Sequence, residues 1–160
     1  MHLPNNKQLR DVLEGMVGRD VALDTSAKSL GPLDVVGGFV ATFVDDNQRL
    51  AAILGWSVDA AAYVGCCLGV VPAKMAKGMV TEKYLRNDVI ENVSEVSNVI
   101  ASVLNTPNTP HLRMGKTYYP APSAPTDLLT YLYQHSARID VDVKVSGYGI
   151  GKIALVSYGS

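Results

Sequence analysis

Glu91-Asn-Val-Ser-Glu95-Val-Ser-Asn98-Val-Ile-Ala-Ser102 is the stretch that organises this 160-residue chain. At about 100° per residue, Val89, Ile90, Val93, Val96, Ile100, Val103 and Leu104 fall on one side of a helix. That spacing predicts the longest amphipathic helix of the chain over Thr81 to Asn105. Glu91, Glu95, Asn98 and Ser102 fall on the other side, at intervals of 4, 3 and 4 residues, as one polar stripe. The apolar side must bury against something, and a sheet is the expected surface. Val is a poor helix former, so packing rather than propensity must hold this segment. Ser94 and Ser97, small residues near the boundary, allow neighbouring elements to approach closely. By periodicity alone, such a stripe reads as a solvated face.

Outward from this helix, the chain reads as a mixture of both element types. Asn6 to Met16 has helical spacing, with Gly18 where a C-terminal cap is expected. Asp20 to Asp24 reads as a short strand. Val35 to Val44 is β-rich with Gly37-Gly38 as a bulge or bend, and the turn Asp45-Asp46-Asn47-Gln48 leads into Leu50 to Trp56 as its hairpin partner. Ser57 or Asp59 caps a helix over Ala60 to Leu68 that is apolar all round and therefore expected to be buried. Pro72 to Val80 reads as a further short helix or turn, with Met75 and Met79 as gap fillers.

Beyond the organising helix, His111 to Tyr119 reads as a strand. Pro120, Pro122 and Pro125 make a rigid connection, and Pro125 suits the first turn of a helix running to about Gln134. Ile139, Val141, Val143 and Val145 alternate with Asp140, Asp142 and Lys144, so one side of this strand is expected to face water. Ile150 to Ser157 returns as the last strand. Gly147-Tyr-Gly149-Ile-Gly151-Lys152 superficially resembles a phosphate loop, but the segment after it is β rather than helical, which favours a hairpin turn. The fold class that follows is α+β, in one domain spanning residues 1–160.

Composition excludes several function classes. Lys and Arg total 14 against 15 Asp and Glu, a net charge of −1, and no basic cluster marks a nucleic-acid footprint. The longest apolar run, Ala60 to Pro72, has 13 residues, too short to cross a bilayer, so no membrane insertion is expected. The N-terminal residues lack the apolar core of a signal peptide, and cytoplasm is the expected compartment. Cys66 and Cys67 are adjacent and read as reduced core residues. His2, His111 and His135 lack metal-ligand spacing. Asp45-Asp46 is accounted for by turn chemistry.

Glu95-x-x-Asn98, within Asn-Val-Ser-Glu-Val-Ser-Asn-Val-Ile-Ala, resembles the signature of the CheC/CheX/FliY chemotaxis phosphatases. In that family an acidic residue and an Asn three positions later sit on a long exposed helix, and a proline follows downstream. Pro120 and Pro122 stand in that neighbourhood. One copy of the signature is present, as in CheX-type members. Many members carry Asp or Ser four residues before the Glu, where this chain has Glu91. The resemblance implies an antiparallel sheet packed against helices, with the motif helix presenting its stripe outward, and a homodimer. It implies a phosphatase acting on the aspartyl phosphate of a response regulator, with Glu95 and Asn98 catalytic and Glu91, Ser102 and Pro120 meeting the partner. No metal or cofactor is expected on this chain, Mg²⁺ being carried by the response regulator. The alternative is a CheX-like interaction module that binds a signalling partner without catalysis.

Overall fold

Capping and turn chemistry set the element boundaries in the computed structural model, which describes residues 2–158. Helix α1 (Asn6–Val17) opens on a capping box in which Asn5 and Gln8 each accept the other's backbone N–H, and Gly18 closes it at φ 69°. Strand β1 (Val21–Thr25) follows. Strands β2 (Phe39–Val44) and β3 (Leu50–Trp56) form the expected hairpin, paired from Phe39 opposite Trp56 to Val44 opposite Leu50. In their turn Asp45 accepts the N–H groups of Asn47 and Arg49, and Asp46 pairs with Arg113. Helix α2 (Val58–Leu68) is capped by Ser57, whose hydroxyl accepts the Ala60 N–H, and its apolar surface is buried nearly all round.

Helices α3 (Ala73–Glu82) and α4 (Asn87–Leu104) come next, then strand β4 (Arg113–Tyr118) and a single 3₁₀ turn at Ala121–Ser123. Helix α5 (Thr126–Gln134) and the hairpin β5 (Arg138–Val145) and β6 (Gly149–Ser157) complete the described residues. The glycine-rich segment is the turn of that hairpin, with Gly147 at φ 81° and the Tyr148 N–H bonded to the Val145 carbonyl. The six strands form one sheet in the order β1-β5-β6-β3-β2-β4, every neighbouring pair antiparallel. The architecture is α+β.

Strand alternation divides the core in two. Phe39, Ala41, Phe43, Leu54, Trp56, Val141, Val143, Ile153 and Leu155 point to one face, where α1, α2 and α4 cover them. Val40, Ile53, Ala154 and Val156 point to the other, packed with Leu30, Val35, Ala121 and Leu132 of α5.

Four sequence expectations are corrected. Thr81 and Glu82 end α3 instead of opening the long helix. The chain turns at Lys83, φ 56°, and Leu85 is drawn fully into the core, its N–H donated to the Tyr119 hydroxyl at 2.7 Å. Val35 to Gly38 is a turn rather than strand, because the Gly38 N–H closes on the Val35 carbonyl with Gly37 at φ 74°. Met79 is buried as expected, but Met75 stands 46% exposed. The polar side of β5 is covered at Asp140, which accepts from Arg138 at 2.7 and 2.9 Å and from the Leu30 N–H at 2.8 Å. Three charge-assisted or backbone donors on one carboxylate are what allow it to be buried.

Candidate functional site

Helix α4 is built to be held from one side. Val89, Val93, Val96, Ser97, Ile100, Ala101 and Leu104 are buried. Each fully buried Val, Ile or Leu side chain contributes roughly 1.5–3 kcal/mol of transfer free energy, which compensates for the low helix propensity of the valines. Against α2 the approach is close: a Cβ on Gly65 would lie 2.7 Å from the Val89 side chain. Ser97 is fully buried. It accepts the indole N–H of Trp56 at 3.0 Å and donates to the Val93 carbonyl at 2.8 Å, so both buried polar groups are satisfied. At the helix start Asp88 complements the N-terminal dipole and pairs with Arg86, whose guanidinium holds its carboxyl below the usual range.

On the opposite side Glu91, Glu95, Asn98 and Ser102 are all exposed. Among the described residues none of these four side chains has a hydrogen-bond or ion-pair partner, so they are free to meet another molecule. The helical phase brings them together on one strip, with Glu95 and Asn98 three residues apart and thus neighbours on the surface. Asn87 and Asp88 are exposed in the same phase and extend the strip, which sequence reading missed by starting the helix six residues early. Their signal was present: Asp88 stands three residues before Glu91.

Pro120 is not on this strip. Asn105 is bonded through both its amide groups to Leu112 at the C-terminal end of α4, and the Tyr119 hydroxyl meets Leu85 just before its N-terminal end. Strand β4 therefore runs antiparallel to α4 and delivers Pro120 level with the start of the helix. Its neighbour Ala121 is bonded to the Gly38 carbonyl.

The chemistry available to the site is that of a carboxylate and an amide held on a rigid scaffold. Among the described residues no group of three or more His, Cys, Asp or Glu could hold a metal ion. Cys66 and Cys67 are buried and unpaired, and burial pushes the Cys66 thiol up to about 11, which keeps it protonated at neutral pH. No helix among the described residues is long and apolar enough to cross a membrane.

Solved structures share this architecture over nearly the whole chain. The fold is that of the CheC/CheX/FliY family. FliY from Thermotoga maritima matches with a TM-score of 0.54 at 11% identity, covering 94% of this chain and 82% of that one. A CheX from Borrelia burgdorferi, solved with CheY, BeF3 and Mg²⁺, matches with a TM-score of 0.50 at 13% identity, covering 93% and 92%. FliM from H. pylori, in a complex with SpeE, matches with a TM-score of 0.62 at 8% identity, covering 94% and 80%. No family model matches the sequence, and no curated protein matches it. The occurrence of this fold in both CheX and FliM means that activity has to be argued from the residues of this chain.

Proposed function

We propose that this chain is a CheX-like phosphatase that accelerates hydrolysis of the aspartyl phosphate of a response regulator, with Asn98 positioning the attacking water. The observation that carries this reading is the pair Glu95 and Asn98, both exposed and unpartnered on one strip of α4. The fold's likeness to a CheX solved with CheY, BeF3 and Mg²⁺ supports it.

An acyl phosphate is already a high-energy linkage, and on this reading the receiver domain brings its own Mg²⁺ to neutralise the phosphoryl oxygens. What remains is to hold a water in line with the phosphorus. The Asn98 amide can accept from that water and donate to it, as the positioning Gln does in GTPases, and its neutrality avoids repelling the phosphoryl group. The water oxygen bonds to phosphorus and the bond from phosphorus to the aspartyl oxygen breaks. Aspartate is regenerated, and the water's protons leave with inorganic phosphate. Glu95 pairs with a lysine of the receiver and fixes the helix in register. Glu91 and Ser102 extend the contact along the strip, and Pro120 bounds it near the start of α4. The functional unit is a homodimer, and no cofactor on this chain takes part.

A second reading is favoured by the FliM likeness: the same strip binds a signalling partner without hydrolysis. Phosphate release from a phosphorylated receiver domain separates the two, since a pure binding module leaves the rate at that of the receiver alone. On the phosphatase reading Glu95→Ala raises the receiver concentration needed for half-maximal rate by about tenfold, the cost of one charge-assisted contact. Identical rates for wild type and Glu95→Ala at every receiver concentration would remove Glu95 from the site.

A further inference from the structure

The glycine-rich segment Gly147-Tyr-Gly149-Ile-Gly151-Lys152 does more than turn the chain between β5 and β6. A Cβ on Gly151 would collide with the Ala60 backbone, so glycine is what lets β6 lie against the start of α2. That approach seats the Lys152 N–H on the Ser57 hydroxyl at 2.9 Å. The same oxygen accepts the Ala60 N–H at 3.1 Å. Both of its lone pairs are then taken, and its own proton has no acceptor among the described residues. Ser57 is buried, and it lines a pocket of about 300 Å³ between the start of α2, strands β5 and β6, and the turn that carries Leu33 and Asp34. The proton is therefore available to a molecule held there.

The pocket gathers charges of both signs that do not pair with one another. Asp34, Asp59 and Asp142 line it together with Lys83 and Lys152. Asp142 and Lys152 stand directly opposite each other on β5 and β6, a placement in which a carboxylate and an ammonium group can join. Here the Asp142 carboxylate instead accepts the Ser26 hydroxyl at 2.7 Å, and Asp34 accepts the Gly31 N–H at 2.8 Å. Among the described residues the side chains of Lys83, Lys152 and Asp59 make no hydrogen bond or ion pair. Lys83 is exposed and water suffices for it, but Lys152 and Asp59 are half-buried, where an unpaired charge is costlier to hold. Two apolar side chains line the same pocket and stand open to solvent, Leu33 at 88% and Ile150 at 57% exposure.

We infer that this pocket binds a small zwitterion, an α-amino acid with an apolar side chain. Its carboxylate meets Lys152, Lys83 and the Ser57 proton, its ammonium group meets Asp59 and Asp142, and its side chain covers Leu33 and Ile150. A ligand of one sign is selected against. An anion would meet three carboxylates and a cation two ammonium groups, and like charges brought together oppose binding. The volume stands at the small end for ligand pockets, which suits a single amino acid. None of these residues lies on α4, so the pocket stands whether or not that helix serves a phosphatase.

The test is calorimetric titration of the full chain with leucine, valine and phenylalanine at millimolar concentration, alongside thermal melts. Two derivatives serve as probes of charge: N-acetyl-leucine lacks the ammonium group and leucinamide lacks the carboxylate. At least one of the three amino acids is expected to bind and to raise Tm. Each leucine derivative is expected to bind about tenfold more weakly than leucine, the loss of one charge-assisted contact. Lys152→Met keeps the apolar stem and removes no ion pair of the fold, so it should melt with wild type and bind about tenfold more weakly. Asp59→Asn is the second variant, with the same expected loss. Failure of all three amino acids to bind overturns the inference. So does a derivative that binds as tightly as leucine, which would mark a site for one sign of charge. Binding undiminished in both Lys152→Met and Asp59→Asn would place the ligand elsewhere and overturn it equally.

Discussion

On one face of the sheet α1, α2 and α4 lie over Phe39, Phe43, Leu54 and Trp56, and a buried hydrogen bond joins Ser97 of α4 to Trp56. On the other face α5 and the segment around Leu30 cover Ile53 and Val156, and the ion pair of Arg138 with Asp140 is buried beside them. The first face is closed almost wholly by apolar contact, which lets α4 commit all its charge to the outside. The second closes over a strand that alternates valine with aspartate, and it needs a guanidinium to do so. Exposed charge and buried packing are thus separated by half a turn of one helix on the first face, whereas on the second the charges belong to the fold.

That contrast can be broken by substitution. The largest stability effect is expected at Asp140→Ala, which leaves the Arg138 guanidinium, only 10% exposed, without its carboxylate and removes the acceptor of the Leu30 N–H. A loss of about 3–5 kcal/mol is expected in denaturant unfolding, with receiver binding per folded molecule unchanged. A loss below about 1 kcal/mol, the range of an exposed pair, contradicts the claim that this pair closes the second face. Ser97→Ala is expected to cost less, about 1–3 kcal/mol, because the buried Trp56 indole N–H is left unpaired. Urea titration followed by Trp fluorescence reads it directly, since Trp56 is the sole tryptophan of the chain. An effect near zero would mean that the indole finds another acceptor.

Much of this was legible in the sequence because it depends on local period. The phase that puts Val93, Val96 and Ile100 inside and Glu91, Glu95 and Asn98 outside follows from helix geometry alone. So do the β2–β3 and β5–β6 hairpins, whose turn residues and strand alternation lie within a few positions of one another. What was not legible depends on partners far along the chain. The break between α3 and α4 depends on Tyr119 taking the Leu85 N–H, 34 residues away. Ser97 lies near the boundary of the apolar side, and only Trp56, 41 residues earlier, makes it a core residue. Asp140 reads as a solvated strand residue until Leu30, 110 residues before it, is brought alongside.

The most direct measurement is phosphate release from a phosphorylated CheY-type receiver domain in the presence of wild type and Asn98→Ala. Asn98 is exposed and its side chain makes no hydrogen bond among the described residues, so the variant should unfold at the wild-type midpoint. If its amide orients the water, acceleration falls by about 10²–10³-fold, the effect of removing one preorganised polar group at a reacting centre. Acceleration by wild type that persists undiminished in Asn98→Ala would contradict the account.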